Sequence, residues 1–289
     1  MAQGCSDAGV CTIGDYYARL LEANKKSVSK QEIELAYTYG THLKYERFYQ
    51  PQVNYRYIKK NGSFFEIRLP LNISRNTLLN VTNSGIGDIM GTYNGKFHLC
   101  KHRLVKYSAG LRISFSNADK KDNNNDYSYP MSLQTGLGTT DLLAAASYDF
   151  GRYISIGTGV QVPLFQYNKN VIVIDHSSTP ATLASDYHRK PDALIKLTGH
   201  YKWRKLKING GALAILHLGN DYYDHGSRKY ILSSSRGATL NWNIETNYAL
   251  TKKWMIGVLY AEPFKTRTSI PDGLARSRIV SPKITFAFK

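Results

Sequence analysis

The chain has no run approaching the roughly 18 to 20 continuous apolar residues that a membrane helix needs, and its mean hydropathy is slightly negative. A helical membrane protein is therefore excluded. Cysteine is scarce, three in 289 residues, so the chain holds at most one internal disulfide. Acidic residues are few, 21 Asp and Glu against 38 Lys and Arg, for a formal charge of +17. No signal peptide opens the chain; the start MAQGCSD reads as a mature terminus whose leader was removed and replaced by an initiator Met. What the chain does have is tyrosine and glycine, 22 and 23 residues, beside an apolar fraction of 42%. That fraction would suffice for an ordinary soluble core. It equally suits a membrane barrel, whose strands hide their apolar residues in alternation.

Period-two alternation runs the length of the chain. Ile33, Leu35, Tyr37, Tyr39, Thr41, Leu43 and Tyr45 interleave with Glu34, Ala36, Thr38, Gly40, His42 and Lys44. Phe65, Ile67, Leu69, Leu71 and Ile73 interleave with Glu66, Arg68, Pro70, Asn72 and Ser74. Twelve segments of this kind occur, the others at about 49–59, 86–98, 105–116, 140–150, 152–165, 192–203, 205–218, 237–250, 253–266 and 278–288. Most are about 10 to 15 residues long, beyond the usual soluble strand of roughly 5 to 6 and matching tilted membrane-spanning strands.

The connections alternate in length. KKNG, CKHR, GR, WRKL and TKK are short, whereas SNADKKDNNNDYSYPMSLQT and YNKNVIVIDHSSTPATLASDYHRK are long, and only the first outer link, around FYQPQ, is short where length is expected. Short turns in the periplasm and long loops outside are the habit of bacterial outer-membrane barrels. The expected fold is all-β: a closed antiparallel transmembrane barrel of twelve strands, residues 31–289, preceded by a periplasmic segment at residues 1–30. An even strand count places both termini in the periplasm. The competing fold, a soluble β-sandwich, would not need so many long strands or basic short turns.

Backbone groups cannot stay unpaired in hydrocarbon, so such a sheet must close on itself. Leu240, Trp242, Ile244 and Tyr248 are then expected to face lipid, and Asn241, Asn243, Glu245 and Asn247 the interior. Tyr248, Trp254, Trp203, Tyr153, Phe97 and Tyr107 lie near the short turns, where amphipathic rings settle at a membrane boundary. The last strand ends in alternating aromatics, Phe286 and Phe288 before Lys289, which resembles the assembly signal of outer-membrane barrels.

The positive charge raises nucleic-acid binding. Its placement at Lys59, Lys60, Lys101, Arg103, Arg152, Arg204, Lys205, Lys252 and Lys253, all at short turns, instead points to phospholipid phosphates as partners. Cys5 and Cys11 precede every strand and are expected to form a small disulfide loop in an oxidising compartment. Cys100 is expected to be free. His98 and His102 flank it, but a fourth ligand is lacking and no metal is expected. Residues 12–32 read as the one helical stretch, capped by Asp15 with Tyr16, Tyr17, Leu20 and Leu21 as an apolar stripe. It could enter the barrel as a plug or lie on its periplasmic rim.

Inward positions carry both signs of charge, among them Glu66, Arg68, Asp88, Lys96, Arg112, Asp141, Lys196 and Glu245. These could form cross-strand ion pairs in a narrow, side-chain-filled barrel or line a hydrated conduit. Catalysis is not expected: His217-Leu218-Gly219-Asn220 has a glycine where an outer-membrane lipid hydrolase would carry its serine, and His176-Ser177-Ser178 lies in a loop.

Ser84-Gly85-Ile86-Gly87-Asp88-Ile89, Ala109-Gly110-Leu111-Arg112 and Gln134-Thr135-Gly136-Leu137-Gly138-Thr139-Thr140-Asp141-Leu142 together resemble the meta-pathway phenol-degradation family of outer-membrane barrels. The resemblance covers roughly residues 80–165; GLGTTD departs from the family's Gly-Thr-Gly-Ser-x-Asp run. It implies a transporter-like barrel, loosely similar to the long-chain fatty acid channel. The reading reached is a passive outer-membrane channel for small solutes, needing no cofactor. Polar solutes are favoured because a charged wall would have to be desolvated to receive apolar ones. The alternatives are a non-conducting subunit or scaffold with protein partners in the outer membrane, or a transporter of hydrophobic or aromatic compounds for which Val171 to Ile174, Tyr222 and Tyr223 form an apolar vestibule.

Overall fold

The computed structural model describes residues 30–42, 45–100, 103–122, 126–151, 153–175, 177, 180–273 and 278–288. Seventeen strands follow one another: β1 (Lys30–His42), β2 (Glu46–Ile58), β3 (Phe64–Asn76), β4 (Val81–Ile86), β5 (Ile89–Cys100), β6 (Arg103–Ile113), β7 (Thr139–Phe150), β8 (Ile154–Gln166), β9 (Ile172–Asp175), β10 (Thr182–His188), β11 (Asp192–Trp203), β12 (Leu206–His217), β13 (Tyr222–His225), β14 (Arg228–Ile231), β15 (Gly237–Ala249), β16 (Trp254–Lys265) and β17 (Arg278–Phe288). Thirteen of them form one antiparallel sheet. It closes where β17 returns to β1, from Gln31 opposite Phe288 to Thr41 opposite Arg278. Closure leaves the wall with no free first or last edge.

The wall has twelve positions because β4 and β5 share one. Both pair with β3, β4 through Leu71 opposite Ile86 and β5 through Arg68 opposite Met90. The break falls at Gly87 and Asp88, where a Cβ on Gly87 would lie 2.5 Å from Asn72 Nδ2. At the short turns the chain uses local chemistry. In KKNG, Gly62 supplies the left-handed residue at φ +80°, and in TKK the Thr251 hydroxyl accepts the backbone N–H of Lys253 and of Trp254 at 3.1 and 3.0 Å.

The two faces of the wall are inverted relative to a soluble protein. Leu35 is 52% exposed on the outside while its neighbour Glu34 is 4% exposed inside. The same contrast sets Phe65, Ile67, Ile244 and Ile256 against Glu66, Arg56, Lys106 and Asn247. A continuous exposed apolar surface with buried charge behind it is what a lipid-facing wall needs. Trp203, Tyr153, Phe97, Tyr107, Tyr248 and Trp254 all lie exposed on this outer face towards the short-turn end.

The first expected outer link is corrected by the structure. Residues 48–52 lie within β2, with Pro51 opposite Tyr37 and Phe48 opposite Gly40, and β1 begins three residues earlier than the alternation suggested. A proline inside a strand removes a ladder hydrogen bond. The β2–β3 pairing accordingly steps from Tyr49 opposite Ile73 to Gln52 opposite Pro70, and Gln50 Nε2 fills the gap by donating to Asn72 Oδ1 at 2.8 Å.

At the long-loop end, β9, β10, β13 and β14 form a second sheet of four strands. It covers a small core of Ala118, Met131, Leu137, Ala184, Tyr187 and Tyr223, with Ile172 and Ile174 packed against it. These apolar loop residues thus bury one another. Tyr222 lies on the other face, stacked on His188 at 4.5 Å between ring centres.

Candidate permeation pathway

Towards the short turns the inner wall is charged and internally paired. Arg56 Nε donates to Glu66 Oε1 at 2.8 Å and Arg56 Nη2 to Glu34 Oε1 at 3.0 Å, while Arg68 Nη2 donates to Glu66 Oε2 at 3.0 Å. The register explains this: Arg56 stands opposite Glu66 on β3 and Glu32 on β1, so opposite charges meet across adjacent strands. Lys106 Nζ donates to Asp149 Oδ1 at 2.8 Å, and Lys283 pairs with Glu245. Lys96 faces inward opposite Lys106, and Lys196 is buried on β11.

Above this zone, towards the long loops, the inward face becomes apolar. Phe48, Met90, Leu143, Leu194, Leu213, Ile215, Ala261 and Ile279 form one buried cluster. They come from β2, β5, β7, β11, β12, β16 and β17, so the cluster belts much of the lumen. Gly40 makes room for it, since a Cβ there would lie 2.0 Å from the Phe48 ring.

The mouth beyond the belt is closed over by polar contacts. The three runs that carry the family resemblance meet here. Asp88 accepts the backbone N–H of Leu137 at 3.2 Å and the Arg112 guanidinium at 2.6 Å. Asn72 and Asn83, on the inner faces of β3 and β4, donate to the carbonyls of Thr135 and Leu133 at 2.7 and 2.8 Å. A Cβ on Gly136 would fall 2.2 Å from Ser114 Oγ and 2.5 Å from Asp88 Oδ1, so this segment docks only with glycine there.

Beside it, Arg189 is fully buried and reaches three carboxylates: Asp141 at 3.4 Å, Asp272 at 3.5 Å, and Asp192. Burial alone would lower its pKa, but those carboxylates hold it above the ordinary guanidinium value. Burial alone would likewise raise the Asp272 carboxyl, but Arg267 and Arg189 outweigh it and hold it well below the usual carboxylate range. His217 has Asp192 Oδ1 at 2.7 Å from Nδ1 and Asp221 Oδ1 at 2.8 Å from Nε2. With a carboxylate at each nitrogen, both must donate, and the ring is an imidazolium. This dismisses His217 as a catalytic base and makes it a cation of the network.

One constellation in the inner half was not singled out from sequence. On β8, β11 and β12, Ser155 Oγ lies 2.9 Å from His200 Nε2, and His200 Nδ1 lies 2.9 Å from Asn209 Oδ1. A serine, a histidine and an amide in series is the order of a nucleophile, its base and an orienting group. Acyl transfer also needs oxyanion donors, and the regular β8–β11–β12 pairing commits the nearby backbone N–H groups to the ladder. The chain of hydrogen bonds is therefore read as part of the wall. Along the inner wall, Ser108 Oγ, Ser147 Oγ, Asn209 Nδ2 and Asn247 Oδ1 are buried without a hydrogen-bond partner among the described residues. Alternation alone places these residues inward; which of them lack partners follows only from three-dimensional packing.

Glu66, Arg68, Lys96, Lys196 and Glu245 thus lie on the inner wall, and Asp88, Arg112 and Asp141 at its long-loop end. Cys5, Cys11, Tyr16, Tyr17, Leu20 and Leu21 lie outside the described residues, as do Lys101, His102 and Arg152.

No family model and no curated protein matches the chain. Among solved structures it is similar to an outer-membrane channel from Pseudomonas putida F1, with a TM-score of 0.64 and 14% identity over 93% of this chain and 98% of that one. The translocator domain of the autotransporter NalP from Neisseria meningitidis matches at a TM-score of 0.49 and 11% identity, covering 95% of this chain and 94% of its own. The Ralstonia pickettii toluene transporter TbuX matches at 0.46 and 8%, covering 91% and 90%. The fold is that of a closed outer-membrane β-barrel.

Proposed function

We propose that the chain is a passive channel of a bacterial outer membrane, with the short turns and both termini in the periplasm and the long loops outside, and that it passes small polar solutes in preference to apolar ones. The observation that carries this reading is the inner wall of the short-turn half, where Glu34, Arg56, Glu66, Lys106, Asn209, Glu245 and Asn247 are buried side by side. An apolar solute there would displace hydration from polar atoms without replacing their hydrogen bonds. The match to an outer-membrane channel supports the barrel that this function needs.

A second reading, passage of hydrophobic or aromatic compounds, is favoured by the apolar belt below the mouth, where such ligands gain roughly 25 cal/mol per Å² on leaving water. A third, a non-conducting subunit, follows if nothing passes. Swelling of liposomes containing the purified protein, full-length and lacking residues 1–30, separates the three. Entry of small polar solutes supports the channel reading, and faster entry of a phenolic or fatty solute of similar size overturns its polar preference. Exclusion of every solute by both proteins leaves the subunit. A gain on removing residues 1–30 would assign them the role of plug.

A further inference from the structure

The charged groups of the inner half are already committed to one another: Arg56 to Glu34 and Glu66, Lys106 to Asp149, Lys283 to Glu245. Two neutral groups stand apart from these pairs. Ser147 Oγ and Asn209 Nδ2 have no hydrogen-bond partner among the described residues, yet Ser147 is only 9% and Asn209 5% exposed. A buried polar atom without a partner is destabilising, so such atoms persist where water or a ligand supplies the missing bond. These two stand on β7 and β12, and of the strands between them β8 carries Gly157 opposite Ser147. A Cβ on Gly157 would touch only Ser147 and the Ala146 carbonyl within 3.4 Å. At Gly157 the strip is therefore open, with Lys196 of β11 beside it, where the opposite wall is crowded by Arg56, Glu34 and Glu66.

We infer that this strip of β7, β8, β11 and β12 is a subsite for a neutral polyhydroxylated solute, such as a small sugar or polyol, bound by Ser147, Asn209 and the Ser155–His200 pair. The inference rests on the channel reading above and names its solute class. A hydroxyl both donates and accepts, as a serine hydroxyl, an amide N–H and an imidazole require in series. Asn209 Oδ1 lies against His200 Nδ1 and Ser155 Oγ against Nε2, which fixes the ring beside the strip. A carboxylate or ammonium solute, before reaching the strip, would have to cross the apolar belt, which opposes ions far more than neutral molecules.

The test compares entry of glucose and of gluconate, nearly equal in size, into liposomes carrying the full chain, each variant first shown to fold by its heat-modifiable migration on gels. Glucose should enter faster, with a flux that saturates. Ser147→Ala and Asn209→Ala should each raise the half-saturating glucose concentration by about fivefold, one neutral hydrogen bond being worth about 1 kcal/mol. Gly157→Leu should slow glucose by filling the strip. Equal or faster gluconate entry, or unchanged half-saturation in both variants, overturns the subsite while leaving the channel reading in place. Entry of neither solute by these proteins or by the chain lacking residues 1–30 overturns both.

Discussion

Arg189→Met removes the hub of the outer-mouth network, and the structure says what is left behind. Asp272 keeps Arg267 at 2.8 Å. Asp192 keeps His217 at 2.7 Å. Asp141, fully buried, keeps only the side-chain amide of Gln161 among the hydrogen-bond donors described here. Breaking a buried ion pair by deleting one partner typically costs 3 to 5 kcal/mol, because a buried charge is left uncompensated. Since two of the three carboxylates retain a cation, the lower end, about 3 kcal/mol, is expected. The cost should fall on one carboxylate, so adding Asp141→Asn should recover more than about 1 kcal/mol, within the coupling of 0.5 to 3 kcal/mol usual for contacting residues. Urea unfolding in detergent micelles, followed by the fluorescence of Trp203, Trp242 and Trp254, measures both. A loss below about 1 kcal/mol for the single variant, or strict additivity in the double, would refute the view that Asp141 depends on Arg189.

Lowering the pH attacks the same network from the acid side. Asp272 is held below the usual carboxylate range, so its contribution is fully present above the unfolded value near 4 and is lost as pH falls through the lower folded value. The urea midpoint should therefore change little between pH 7 and 5 and drop below about pH 4; a drop confined to the higher interval would contradict this. At the lipid face, Ile244→Arg should cost about 2 to 4 kcal/mol near mid-membrane. Asn243→Arg should cost less, since Asn243 faces inward opposite Gly211 and Ala261 and its charge is kept off the lipid face. Equal refolding yields for the two would defeat the face assignment. Mass mapping of non-reduced peptides should find Cys5 linked to Cys11 and Cys100 free; any peptide joining Cys100 to either would remove that pairing.

The barrel was legible in the sequence because its physics is local. Lipid on one side and polar groups on the other impose period two, as in Ile33 to Gly40 or Phe65 to Ser74, and the short turns announce themselves by Gly62 and Thr251. The misread FYQPQ shows the limit: a proline between two glutamines looks like a turn, but the β1–β2 register runs straight through it, and on the β2–β3 side Gln50 and Asn72 bridge the gap it leaves in the ladder. The apolar belt had a signal that alternation hides. Ala193 to Ile195 and Leu213 to Leu216 are unbroken apolar runs, the pattern of strands whose two faces are both apolar. The mouth network had no such signal. Arg189 and Asp272 are 83 residues apart, and nothing local in either neighbourhood requires the other.

The order of the three zones bears on what a silent bilayer recording would mean. An ion entering from the long loops must pass the polar mouth and then the belt of Leu143, Leu194, Leu213, Ile215 and Ile279 before the charged inner wall, and at the belt must shed hydration against atoms that cannot replace it. The charges beyond could compensate only by leaving partners they already hold, as Arg56 would have to leave Glu34 and Glu66. Low ionic conductance therefore follows from the zoning even for an open channel, and does not by itself favour a non-conducting subunit. A neutral solute has no such barrier: its apolar C–H faces can pass the belt, and its hydroxyls can then meet Ser147 and Asn209. Flux of uncharged solutes is the measurement on which channel and subunit part.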